Sequence, residues 1–192
     1  EGTVGEGLLN WRDLATKAAQ AIRAVDAGKP VVFEPSPWGG PDGFDALEPL
    51  DAERVVYSFH MYQPHSFTHQ GVYDNKASIE YPGRIDGEFW DKERLREAML
   101  PAIEFQKAFN VQIYVGEFSV ARWAPGDSGY NYLQDVIDLF EGYGWDWSYH
   151  AFREWDGWSV EHGPDRDDHS VARVPTRRME LLLGWFAKNQ RR

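Results

Sequence analysis

At 192 residues, with 42% apolar content and no cysteine, the chain is long enough for one domain spanning 1–192, and it excludes disulfides and thiolate metal sites. Its net charge of -11 disfavours nucleic acid or an anionic membrane as partner and is compatible with a neutral substrate. No run approaches transmembrane length, and the acidic, glycine-rich start lacks a signal-peptide pattern, so no compartment follows from it.

The first predicted element is a helix from Leu8 to Val25, with Leu9, Leu14, Ala18 and Ile22 on one stripe. Val31-Val32-Phe33-Glu34 reads as a strand leading into the turn-rich loop Pro35-Ser36-Pro37-Trp38-Gly39-Gly40. A second strand, Val55 to Tyr62, ends with His60 and Tyr62 two residues apart, hence on one side of the pleat. The stretch from Gln63 to Trp90, rich in Gly, Pro, Tyr and charge, reads as a long substrate-facing loop. Asp91 to Phe109 is a helix with an acidic start and a face of Leu95, Met99, Ile103 and Phe109, in which Pro101 predicts a kink or a late start. Gln112 to Phe118 is a third strand, Tyr132 to Phe140 a helix built on Leu133, Val136, Ile137 and Phe140, and Trp145 to Phe152 a fourth strand. A last helix spans Arg177 to Lys188 and buries Leu181, Leu182, Trp185 and Phe186. Strands alternating with helices predict a parallel α/β fold.

Glu117 stands out because an apolar run with a close-approach glycine delivers one carboxylate where a parallel strand would leave its sheet. Alone, such a residue reads equally as a surface glutamate capping a strand. If its strand neighbours the one ending in His60 and Tyr62, a carboxylate, an imidazole and a phenol converge at one rim. Nine tryptophans are the compositional outlier: Trp38, Trp123, Trp155 and Trp158 sit beside Gly, Pro, Arg or Asp rather than inside apolar runs. Flat rings suit the C–H faces of sugars, which makes Trp38, Trp123 and Trp155 candidate substrate contacts; the plainer alternative is ordinary packing on the rim.

Ser58-Phe59-His60-Met61-Tyr62, Tyr114-Val115-Gly116-Glu117-Phe118 and the Trp-rich last strand resemble glycoside hydrolase family 5, the cellulase family of (β/α)8 barrels. The resemblance implies a secreted, retaining hydrolase of β-linked glucans without cofactor or metal. It implies Glu117 as the nucleophile ending strand seven, Tyr62 as the tyrosine that donates to it, and His60 as the strand-six histidine lining the cleaved-bond subsite. His150 falls near the place of the family's strand-eight tryptophan, with Trp155 as the other candidate platform.

A retaining enzyme needs a second carboxyl about 5 Å from the first. Family 5 carries it in an Asn-Glu-Pro motif ending strand four, and no Asn-Glu-Pro occurs in the chain; Glu1 and Glu6 belong to the loop beyond that place. A complete barrel needs about 250 residues and eight strands, so the predicted elements correspond to strands five to eight, half of a (β/α)8 TIM barrel. Its edge strands would present unpaired N–H and C=O groups, and an inner face including Val56, Ser58, Ile113 and Val115 would lack its opposing half. Association is expected, with an N-terminal half or as a homodimer closing eight strands. In the homodimer the partner's Glu154 would approach the acid/base position opposite Glu117, whereas the plainer role of Glu154 is a salt bridge with Arg153 or Arg122. The alternative to an enzyme is a non-catalytic polysaccharide-binding module or an inactive half-barrel fragment.

Two further motifs carry less. His65 and His69, spaced i,i+4, would chelate a metal on a helix, but Pro64 and Gly71 argue for a loop. The Asp165-Arg166-Asp167-Asp168-His169 cluster lacks the glycine and terminal glutamate of an EF-hand and reads as a solvated loop.

Overall fold

The computed structural model describes residues 5, 7–73 and 78–189. In chain order its elements are α1 (Trp11–Val25), β1 (Val31–Phe33), a 3-10 turn (Pro41–Phe44), β2 (Val55–Met61), α2 (His65–Thr68), β3 (Gly83–Ile85), β4 (Glu88–Trp90), α3 (Lys92–Ala98), α4 (Leu100–Phe109), β5 (Ile113–Phe118), α5 (Ser128–Gly142), β6 (Asp146–Trp147) and α6 (Arg177–Phe186). Four strands form one sheet in the order β1-β2-β5-β6, with β1 parallel to β2 and β5 parallel to β6. The α/β class and the parallel sheet are as the sequence predicts. Strands β3 and β4 form a separate antiparallel hairpin inside the stretch expected to be a loop. The described residues divide into two compact units: one takes in those up to Met61, Ala98–Glu117 and Tyr143–Ser148, the other those within Tyr62–Glu97, Phe118–Gly142 and those from Tyr149 on.

The first unit holds the sheet. Along β2 the pleat sends Tyr57, Phe59 and Met61 to a fully covered face and Val56, Ser58 and His60 to the other. Phe59 meets Phe44 and Trp145 edge-on at 6.2 and 5.4 Å, and Tyr57 meets Phe33 and Phe105 at 5.8 and 4.9 Å, the geometry that aromatic quadrupoles favour. On β5, Tyr114 donates its hydroxyl to Ser148 Oγ at 2.8 Å, and a Cβ built on Gly116 would point at Ser58. Tyr114 and Gly116 therefore share the Ser58 side, and Ile113 and Val115 lie on the opposite, covered face rather than on the inner face expected of them. A strand apolar at nearly every position has no phase from which a sequence reading can choose a face.

Helix α1 starts at Asn10, whose side chain accepts from Asp13 N at 2.8 Å. Its expected apolar stripe is not buried: Leu9, Leu14 and Ile22 are between 41% and 49% exposed. Polar side chains seat the helix instead, with Arg12 donating to the carbonyls of Glu48 and Pro49, Gln20 to that of Asp51 and Arg23 to that of Glu53. The helix expected over 91–109 is broken at Met99, because Pro101 has no N–H to give and belongs in the first turn of a new helix.

The second unit is centred on α5, which buries Tyr132, Leu133, Val136, Ile137 and Phe140. Helix α6, capped by Thr176, packs against it. The 165–169 cluster is a solvent-exposed loop, as expected, yet its backbone is tied down. The Arg122 side chain is 0% exposed, ion-paired to Asp156 at 3.1 Å, and donates to the carbonyls of Gly163, Asp165, Arg166 and Asp168, so the backbone wraps a buried guanidinium. His65 and His69 sit on and just after the one-turn helix α2 rather than in a loop, their rings stacked at 3.8 Å. Burial pushes His69 down to about 4, keeping it neutral. Among the described residues no group of three metal-ligating side chains occurs, and no helix is long and apolar enough to cross a membrane. The fourth predicted strand shortens to Asp146–Trp147.

Candidate active site

Three strands of one sheet deliver side chains to a common place in the first unit. Glu34 is the residue after β1, His60 lies near the end of β2 and Glu117 near the end of β5. His60 Nε2 is 3.0 Å from Glu34 Oε1, and its Nδ1 is 3.7 Å from Glu117 Oε2. Ser58, two residues before His60 and so on the same face, donates its hydroxyl to Glu34 Oε1 at 2.9 Å. The cluster closes over Gly116, where a Cβ would come within 2.8 Å of Ser58 Oγ and 3.0 Å of Glu34 Oε1. Glycine is required there because the functional groups occupy the space of a side chain.

The ionised forms support one another. A hydrogen bond from His60, aided by one from Ser58, holds the Glu34 carboxyl below its ordinary value against the opposing effect of burial. The same hydrogen bond raises His60, with the Glu34 and Glu117 charges adding to it. The folded state gains from the raised imidazole fully below about pH 6.5 and loses that gain as pH rises through the folded midpoint. From the lowered carboxylate it gains above about pH 4.5, losing it as pH falls through the folded midpoint. The pair is therefore fully engaged in mildly acidic solution.

Above the cluster lies a cleft of about 580 Å3 lined by Trp11, Ser36, Trp38 and Gly39 together with Glu34, His60 and Glu117. The Trp38 side chain is uncovered, with the residue 94% exposed, and its φ of 58° is a left-handed conformation unusual for an indole residue. Trp11 donates its indole N–H to the Glu34 carbonyl at 2.7 Å.

The remaining sequence-derived candidates lie in the second unit. Tyr62 packs edge-on against His69 at 5.0 Å and lies 6.2 Å from Trp158. Trp158 contacts Trp155, and Trp155 contacts Trp123, making an aromatic chain. Trp158 is buried, and Trp123 is fixed by its N–H to the Gln70 carbonyl with the Arg166 guanidinium over its ring, so of these indoles Trp155 is the most exposed. His150 pairs with Glu154 at 2.9 Å. The partners expected for Glu154 are engaged elsewhere, Arg153 with Glu161 and Arg122 with Asp156. Glu1 and Glu6 lie outside the described residues.

Sequence reasoning missed Glu34, Ser58 and Trp11. The period of two back from His60 points to Ser58, and the strand-end position points to Glu34; nothing in the sequence marks Trp11.

A strand-end carboxylate thus stands beside an imidazole in a cleft lined by two indoles. The family model of cellulase (glycosyl hydrolase family 5) matches residues 4–155. Among known proteins, Endoglucanase C of Acetivibrio thermocellus is 30% identical over 158 residues, 69% of this chain and 46% of its own length. A solved structure of Cel5A of Thermotoga maritima in complex with cellobiose is 28% identical with a TM-score of 0.66, covering 79% of this chain and 49% of that one. The crystal structure of another glycoside hydrolase, 25% identical with a TM-score of 0.72, covers 95% and 56%. The chain belongs to the cellulase family, glycosyl hydrolase family 5. It spans about half the length of the curated relatives it matches.

Proposed function

We propose that this chain carries the nucleophile of a retaining β-glucan hydrolase. Glu117 attacks the anomeric carbon, and the bond to the leaving oxygen breaks as the glycosyl ester forms. His60 and Tyr62 have the supporting roles, and Trp38, Trp123, Trp155 and His150 are the glycan contacts. The observation that carries this reading is Glu117 at the end of a parallel strand, 3.7 Å from His60 Nδ1, in a cleft that presents Trp38. Glu34 is not assigned the part of the Asn-Glu-Pro glutamate, since the hydrogen bonds from His60 and Ser58 favour its carboxylate form and a general acid needs the reverse.

The reading extends to the sheet. The sheet's four strands, β1, β2, β5 and β6, represent four of a barrel's eight, and the other four belong to an N-terminal half or to a second copy. The exposed stripe of α1 and the 56% exposed Val32 of edge strand β1 support this, being apolar surface that a neighbouring strand and helix would cover. The acid/base belongs to that complement, with the partner's Glu154 as the candidate in a homodimer. Light scattering is expected to give a mass above that of one chain. A cooperative melt at the mass of a single chain would refute the completion.

On soluble β-glucan, the completed assembly should release reducing sugar, and Glu117→Ala should abolish the release without weakening retention on the polysaccharide. Glycan binding that never produces sugar, even with the complement present, would favour the binding module instead.

A further inference from the structure

Glu34 has no motif around it, yet its carboxylate is held by two side chains of the neighbouring strand. Its Oε1 accepts the Ser58 hydroxyl at 2.9 Å and faces His60 Nε2 at 3.0 Å, while Nδ1 on the other side of the ring faces Glu117 Oε2 at 3.7 Å. The imidazole is thus clamped between two carboxylates. A neutral ring has one proton for both of them, and an imidazolium has one for each.

We propose that Glu34 is a positioning residue for Glu117, acting through His60: it fixes which ring nitrogen carries the proton, and so whether Glu117 meets an N–H donor or a lone pair. In the neutral ring the shorter contact claims the proton for Nε2, leaving the Nδ1 lone pair toward Glu117. When the ring is charged, Nδ1 donates to Glu117 and aims its carboxylate. The titratable groups facing the ring are Glu34 from the end of β1 and Glu117 from the end of β5. Its uncharged neighbours are Ser58 on its own strand and the Gly39 carbonyl, which takes the His60 backbone N–H at 2.7 Å and fixes the root of the side chain. Gly116 leaves the room that lets the three groups meet. This role rests on the reading of Glu117 as nucleophile, but the proton position does not.

The test is a 15N titration of the histidine rings in the full 192-residue chain, with His60 assigned by its disappearance in His60→Gln. The wild-type ring should titrate above the ordinary histidine value and, once neutral, carry its proton on Nε2. Glu34→Gln, which keeps the shape and removes the charge, should lower the midpoint by about one pH unit or more and move neutral-state proton density toward Nδ1. An unchanged midpoint and tautomer in a well-dispersed spectrum would overturn the proposal. So would a wild-type neutral ring protonated on Nδ1, a result that needs no variant to fold. Neither measurement involves substrate, so a negative answer leaves the hydrolase reading standing, and absent sugar release leaves the proton assignment standing.

Discussion

Incubated with a 2,4-dinitrophenyl 2-deoxy-2-fluoro-β-cellobioside, the chain should gain the mass of one fluorocellobiosyl group, and peptide mapping should locate it on Glu117. The dinitrophenolate leaves as a stabilised anion without protonation, so the first half of a retaining mechanism proceeds without the second carboxyl group. Hydrolysis of the ester needs that group as base, and the fluorine slows it further, so the adduct accumulates. In Glu117→Ala the acceptor oxygen is gone, and labelling should fall by a factor on the order of 10^4 or more, the scale on which removal of a nucleophile acts. A label on another carboxylate, or equal labelling of the variant, would remove Glu117 from the nucleophile role. Intact mass spectrometry reads both outcomes.

The largest stability effect is expected at Phe59. Its side chain is fully buried, edge-on to Phe44 and Trp145, on the face of β2 opposite His60. Truncation to alanine removes an aromatic ring from a packed layer of rings. Phe59→Ala should cost about 3–5 kcal/mol, read as a lower urea midpoint at unchanged slope. Trp38→Ala, at an uncovered residue, should stay within about 0.5 kcal/mol of the parent. If the two variants melt alike, the aromatic layer is not the core of this unit.

The elements were legible wherever periodicity was strong. Each predicted helical stretch is helical within a few residues at its ends, with 91–109 divided at Met99, and the four strand runs each contain a strand of the four-stranded sheet. Legibility ended where two groups compete for the same role. The Leu14 and Ile22 stripe has the right spacing for burial, but spacing says nothing of whether a covering surface is present, and Arg12 and Arg23 proved to be the seating side chains. Ile113 and Val115 were given the wrong face because their strand has no polar phase. In the candidate site, strand-end position and the family resemblance drew notice to His60 and Glu117, which the structure brings within 3.7 Å of each other. Glu34 was passed over because a carboxylate before a proline looks like the start of a loop, and only the three-dimensional register brings its oxygen onto the imidazole. In the exposed 165–169 loop the acidic side chains drew notice, while the carbonyls that bind Arg122 carry no mark in the sequence.

Those carbonyls have a consequence for how the protein meets acid. A guanidinium stays protonated at every pH a protein survives, and ionic screening hardly reaches a cation sealed from solvent. The segment around Arg122 is consequently anchored by a permanent charge, whereas the Glu34–His60 pairing dissolves and re-forms with the proton supply. A change of pH should therefore retune the chemistry at the strand ends while the Arg122 bonds to the four carbonyls persist, and acid should reach that anchor only at Asp156.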